Sequence, residues 1–248
     1  MTATPLGDII AEADRMLAAA HERNVRVRLI GGLAVYFHAD HVHPALARPY
    51  GDIDVATTKA EGRDLTELMT DLGYEPARQF NALHGSRRLL FRDVHNERKV
   101  DVFVGRFEMC HTIPITDRIT LDAHTIPLAE LLLTKLQVVE LTDKDLRDLV
   151  ALLHHHEVAE HDDDAINAAF VARLTADDWG LWRTVKLNVE RVHEQIGTLG
   201  LERADKQRVL ERLDVLWRRI EAEPKSTKWR LRDRVGDRKR WYEIPDEI

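Results

Sequence analysis

Val25-Arg26-Val27-Arg28-Leu29-Ile30-Gly31-Gly32-Leu33-Ala34-Val35 is the stretch that decides the fold. Apolar and basic residues alternate up to Ile30, the period of a strand with one buried face. Gly31-Gly32 ends that strand in a tight turn, and Leu33 to Ala39 continues as a short helix. Residues 40–51, with Asp40, His41, His43 and several Pro and Gly breakers, read as a loop. It ends in Arg48-Pro49-Tyr50-Gly51-Asp52-Ile53-Asp54, where Ile53 to Ala56 starts a second strand.

Working outward, the acids come next. Residues two apart on a strand share a face and lie about 6.6–6.8 Å apart along it, so Asp52 and Asp54 point together. Asp101, in Lys99-Val100-Asp101-Val102-Phe103, sits on another predicted strand, and neighbouring strands are about 4.8 Å apart. If the two strands pair, three carboxylates gather on one face. Such a cluster repels itself unless a cation compensates. Mg²⁺ suits it, being hard, oxygen-seeking and usually held by one or two carboxylates plus substrate phosphates. Two such ions about 3.5–4 Å apart clamp an in-line phosphoryl or nucleotidyl transfer. Gly31 and Gly32 let backbone approach closely, and the helix start behind them offers N–H groups to an anion. Each element alone also reads as a turn or a solvated strand end. The order strand, Gly-Gly, helix, loop, Asp-x-Asp, strand, Asp is what makes them informative together.

The rest of the chain supports an α+β fold: a mixed β-sheet flanked by helices, followed by a C-terminal helical domain. Helical spacing runs over 6–20 and 61–72, the latter closed by Gly73. Strand-like runs follow at 87–91, 99–104 and 118–121. Pro127 fits the first position of a helix, and beyond it lie helical segments at 128–141, 145–154, 165–174, 179–199 and 204–221. The predicted domains are 1–124 and 125–248.

Composition sets the class. The 248 residues carry 36 Lys and Arg against 43 Asp and Glu, a net charge of −7, which argues against a wholly basic coat. No run of 18 apolar residues suggests a membrane span, and Met1 to Leu6 does not read as a secretory leader. The single cysteine, Cys110, allows neither an internal disulfide nor a cysteine metal cluster. A cytoplasmic setting is the expectation. Residues 225–240 hold eight Lys and Arg against two Asp, with Trp229 inside the run and Trp241 beside it. Cations beside aromatics suit a phosphate backbone and unstacked bases; a solvated tail is the other reading. His154-His155-His156 invites a metal reading, but adjacent helical residues do not face one another. A frayed helix end, a loop and an acidic helix start at Asp162-Asp163-Asp164 is the reading adopted. His38, His41 and His43 read as loop histidines, and Trp179, Trp182 and Val185 as core.

Leu29-Ile30-Gly31-Gly32-Leu33-Ala34-Val35, followed by Arg48-x-x-x-Asp52-Ile53-Asp54, resembles the nucleotidyltransferase superfamily with its polymerase-beta-like fold. Within it the pattern is similar to AbiE-type toxins of bacterial toxin–antitoxin systems and to lincosamide and aminoglycoside nucleotidyltransferases. Gly31-Gly32 departs from the Gly-Ser of many members, losing a hydroxyl but keeping the backbone donors. The helix containing Lys135, and Lys144-Asp145-Leu146-Arg147-Asp148-Leu149, resemble elements of the toxin-like members; the likeness spans about residues 25–155. It implies an enzyme of EC 2.7.7 type that moves a nucleoside monophosphate from an NTP to a hydroxyl, releasing pyrophosphate. Asp52, Asp54 and Asp101 would hold Mg²⁺, with Asp101 alternatively a general base. Gly31, Gly32 and Arg48 would meet phosphates, and Lys135 would reach the triphosphate. Asp145 and Asp148 share a helix face and would orient Lys135 or an acceptor; a capped helix with a Lys144–Asp148 surface pair is the competing account. The expected partners are an NTP, RNA or tRNA through the basic tail, and an antitoxin protein, with no membrane. An antibiotic-modifying enzyme and a non-enzymatic nucleotide-binding protein on a decayed transferase fold are the alternatives.

Overall fold

The computed structural model describes residues 3–39 and 42–245, so Asp40 and His41 lie outside the described residues. The chain divides into two compact units. One takes in the chain up to Phe37, then Pro49–Glu108 and Ile113–Pro127; the other takes in His38–Arg48, Met109–Thr112 and the chain from Leu128 onward.

The first unit begins with α1 (Ile9–Glu22). Asp8 caps it by accepting from the Ala11 amide, and Ala13, Met16, Leu17 and Ala20 form its buried stripe. Next come β1 (Val27–Ile30), α2 (Gly31–His38), β2 (Ile53–Thr57), α3 (Gly62–Asp71), β3 (Glu75–Pro76), α4 (Arg78–His84), β4 (Arg88–Asp93) and β5 (Arg98–Val104), then a small ribbon of β6 (Arg106–Glu108) and β7 (Thr112–Pro114). The main sheet runs β1-β2-β5-β4-β3, with β2 and β5 parallel and the other neighbours antiparallel. The β4–β5 hairpin is pinned by a side chain. Asp93 accepts from the amides of His95 and Asn96, each at 3.1 Å, and from Arg98 Nε at 3.0 Å. That closure sets Asp93 opposite Arg98 and therefore Leu90 opposite Asp101.

One expectation fails in this unit, and one helix was not foreseen. Residues 118–121 are not a strand: Asp122 Oδ1 accepts from the amides of His124 and Thr125 at 2.7 and 2.8 Å, and the chain turns. Helix α4 gives no periodic signal because its residues, Arg78 to His84, bury no complete face.

The second unit holds α5 (Leu128–Leu136), α6 (Asp143–His155), β8 (Glu157–Ala159), β9 (Ala165–Asn167), α7 (Ala168–Asp177), α8 (Trp179–Gln195), α9 (Arg203–Ala222) and α10 (Thr227–Asp233). Helix α5 stops at Leu136 rather than 141, since the carbonyls beyond it serve other partners. Asn188 donates to those of Leu136 and Val138 at 2.8 and 2.7 Å, and Arg191 to that of Val139 at 2.6 Å. Residues 165–167, expected to start a helix, form β9 parallel to β8. The acids before it are not the α7 cap, which is Asn167: Asp162 accepts from Asn167 Nδ2 and Asp164 pairs with His156. The basic tail is partly folded, with α10 capped by Ser226 and Trp229 buried. No helix among the described residues is long and apolar enough to cross a membrane.

Candidate active site

Register builds the acidic group in the first unit. Antiparallel β1 and β2 set Ile30 opposite Asp54, and parallel β2 and β5 set Asp54 opposite Asp101. Asp54 thus lies between the end of β1 and Asp101. Gly31, the residue after Ile30, takes a left-handed φ of 72°. A Cβ there would lie 2.5 Å from Asp54 Oδ2, so only glycine leaves room for this carboxylate. Gly32 follows in the first turn of α2. Asp52 stands just ahead of β2, exposed, and its Oδ1 accepts from the Lys99 amide at 3.3 Å.

Asp101 has a partner that the sequence did not announce. Arg88 Nε donates to its Oδ1 at 2.7 Å, and Arg88 Nη2 makes a very short bond to Oδ2. Both side chains are largely buried, and the guanidinium also lies 5.2 Å from the Phe103 ring. Leu90 is Asp101's direct neighbour across the hairpin, so Arg88, two residues earlier, is the diagonal one. Counting back from the Asp93–Arg98 turn would have found it.

The donor set can be tested against Mg²⁺. Asp52, just ahead of β2, and Asp54, within it, flank buried Ile53, and such a pair fits an ion whose remaining ligands are phosphate oxygens. Asp101 has both oxygens committed to Arg88, and among the described residues no three His, Cys, Asp or Glu side chains are set to hold a metal ion. The residues fit a two-carboxylate site completed by substrate, not a closed three-carboxylate cage.

The second unit gathers the other candidates. Arg48 Nε and Nη2 donate to the two oxygens of Asp148 at 2.9 and 2.7 Å. Lys135 Nζ lies 2.8 Å from Asp148 Oδ2 and 3.5 Å from Asp145 Oδ1. Burial alone would raise the Asp148 carboxyl, but the Lys135 charge and the Arg48 bonds outweigh it and hold it below the ordinary carboxylate range. Lys135, about one-eighth exposed, is therefore neither snorkelling nor unpaired. Asp145 also forms the capping box of α6 with Thr142. The capped-helix reading thus holds for Asp145, whereas Asp148 pairs with Arg48 and Lys135.

The histidines separate. His154 Nε2 meets Asp205 at 3.1 Å; His156 meets Asp164 through Nδ1 and the His38 carbonyl through Nε2, each at 3.1 Å.

No family model matches the sequence, and no curated protein matches it. One solved structure, described as that of an antigenic nucleotidyltransferase-like protein from Paracoccidioides brasiliensis, is similar over 90% of this chain and 97% of that one. The TM-score is 0.41 and the identity 10%.

Proposed function

We propose that the chain is a nucleotidyltransferase that moves a nucleoside monophosphate from an NTP to an acceptor hydroxyl, with RNA as the acceptor and a toxin-like role. The observation that carries this reading is the close fit of Asp54 against Gly31, with Asp101 beside it in register and Asp52 two residues away. It brings a carboxylate pair to the turn where the backbone donors of a helix start stand ready for an anion. The motif resemblance supports the same chemistry.

In the proposed reaction the acceptor oxygen bonds to the α-phosphorus. The bond from that phosphorus to the bridging oxygen breaks, and pyrophosphate leaves. Asp52 and Asp54 would hold Mg²⁺, which supplies charge neutralisation at the transferring phosphoryl group. The amides of Gly31 and Gly32 orient phosphate oxygens. Asp101 would take the acceptor proton, or, freed from Arg88, would be a further carboxylate for Mg²⁺. Lys135 and Arg48, aligned on Asp148, would serve the triphosphate charge, as the motif resemblance implies.

The test is incubation with labelled NTPs, Mg²⁺ and total RNA, beside parallel reactions offering an aminoglycoside or a lincosamide. Label on RNA is the expected result, and label only on an antibiotic would replace RNA by a small acceptor. Asp54→Ala should abolish transfer while the folded circular dichroism spectrum persists; undiminished turnover by that variant would remove the metal-site assignment. An antitoxin partner is part of the toxin-like reading, and its test is neutralisation of growth arrest by a co-expressed neighbouring protein.

A further inference from the structure

The segment that carries the excess positive charge builds a pocket within the second unit. The α7–α8 junction and residues between Lys228 and Glu243 line a half-open pocket of about 650 Å³, within the size range of small-ligand sites. Glycine makes the closure possible: a Cβ on Gly180, in the first turn of α8, would lie 2.5 Å from the Trp241 carbonyl oxygen. The strap is then tied down. Trp241 Nε1 donates to Thr184 Oγ1 at 3.1 Å, and the Glu243 amide donates to the Cys110 carbonyl at 3.0 Å. Arg232 is a structural member, donating to the carbonyls of Gly236 and Lys239 at 2.7 and 2.6 Å while its guanidinium covers the Trp179 ring at 4.5 Å.

Among the described residues, other cations in the pocket make no ion pair. Lys228, Lys239 and Arg240 line it, are exposed, and have no carboxylate partner among the described residues. Trp241 and Tyr242 are half-buried, their rings 5.4 Å apart at 75°. The Arg183 guanidinium lies 5.9 Å from the Trp241 ring and that of Arg240 5.9 Å from the Tyr242 ring, contacts a stacking base would replace. Trp229, buried in the lining, has an indole N–H with no hydrogen-bond partner. Asp178 is occupied as the α8 cap, while Asp177 and Glu243 also line the cavity, which restrains a dense run of phosphates in it. Arg230, Arg234 and Arg238 stand exposed on the same segment and extend the positive track.

We propose that this pocket holds one nucleotide of a single-stranded polynucleotide. Its base stacks on Trp241 or Tyr242, its phosphate lies on Lys239 and Arg240, and flanking phosphates follow the arginines. Base–aromatic stacking and salt-sensitive phosphate contacts are the two sources of affinity in such sites. The proposal rests on the transferase reading only in making this polynucleotide the acceptor.

Binding can be read without NTP or divalent metal, so a failed transfer reaction leaves the result standing. All five tryptophans belong to one chain of ring contacts, Trp179 meeting Trp182 and Trp241, and Trp182 meeting Trp217 and Trp229. Tryptophan emission therefore reports this region alone. The full chain is titrated in EDTA with a short single-stranded RNA, the same sequence as single-stranded DNA, a blunt RNA duplex, AMP and polyglutamate. The expected result is quenching by both single strands, weakened as salt rises from about 50 to 200 mM. Lys239→Glu with Arg240→Glu should weaken it about tenfold or more at an unchanged melting temperature, and Tyr242→Ala should weaken it without changing the salt slope. Parent-like binding by the charge-reversal variant, preference for the duplex, AMP binding as tightly as the oligonucleotide, or binding of polyglutamate alone would each overturn the proposal.

Discussion

Arg48 and Asp148, one hundred positions apart, form a two-pronged ion pair with both side chains nearly out of solvent. Lys135 adds a third bond to the same carboxylate. One acid thus organises two cations, and Asp145 answers part of the remaining charge at 3.5 Å from Lys135. The arrangement binds the loop ending at Arg48 to helices α5 and α6 within the second unit.

Removing Asp148 should take from Arg48 and Lys135 the buried carboxylate they share, and breaking a buried pair typically costs about 3–5 kcal/mol. Asp145→Ala leaves the Thr142 cap in place and forfeits only the reciprocal half of the capping box and the longer Lys135 contact, about 1 kcal/mol or less. Urea denaturation of the two variants should rank them in that order, and equal losses would show that Asp148 is not the organising acid.

The pH dependence of stability should show two separate windows. Asp148 titrates below its unfolded value, so its contribution is present above the ordinary carboxylate range and is lost as pH falls through the depressed folded value. His111 is pushed down to about 4 by burial, against the opposing pull of Asp178. Being held neutral, it contributes stability that is complete above its ordinary value of 6.5 and fades as pH falls toward about 4. Melting temperatures measured from pH 7 to 3 should fall in both windows. His111→Gln, at the position where the ring meets Thr184 Oγ1 at 2.8 Å, should flatten the upper window alone.

Gly31→Ala should damage the site more than the fold. The left-handed backbone costs a residue with a side chain about 1–2 kcal/mol, and the added methyl must also displace Asp54. Transfer should drop at least as far as in Asp54→Asn while circular dichroism stays native. Alanine at Gly51, where a Cβ meets nothing within 4 Å, should be nearly silent, and activity assays of the pair check the contrast.

The strand pattern was legible where alternation was complete. Val27 to Ile30, Ile53 to Thr57 and Arg98 to Val104 all form as their apolar periods require, and they pair so that Asp54 faces Asp101. What sequence could not supply were choices made by distant partners. Helix α5 ends early because Asn188 and Arg191 take its following carbonyls. Residues 165–167 become a strand because β8 lies beside them. Lys135, an anomaly in an apolar helix, meets Asp148 and Asp145 across the α5–α6 turn, a pairing the motif resemblance implied, whereas the Arg48 bonds to Asp148 came from the fold.

Arg88 tests the least settled member of the acidic group. Its two bonds balance the charge of Asp101, and while they persist that carboxylate is a weaker ligand for a cation. Arg88→Gln should release it and add a third carboxylate beside Asp54, at the cost of a largely buried pair. The variant should melt lower than the parent without divalent ions. Because a ligand stabilises the form it binds, millimolar Mg²⁺ should then raise its melting temperature more than it raises the parent's. Asp101→Asn in the Arg88→Gln background should cancel that extra gain if Asp101 is a metal ligand. If Mg²⁺ shifts both proteins equally, Asp101 takes no part in holding the ion.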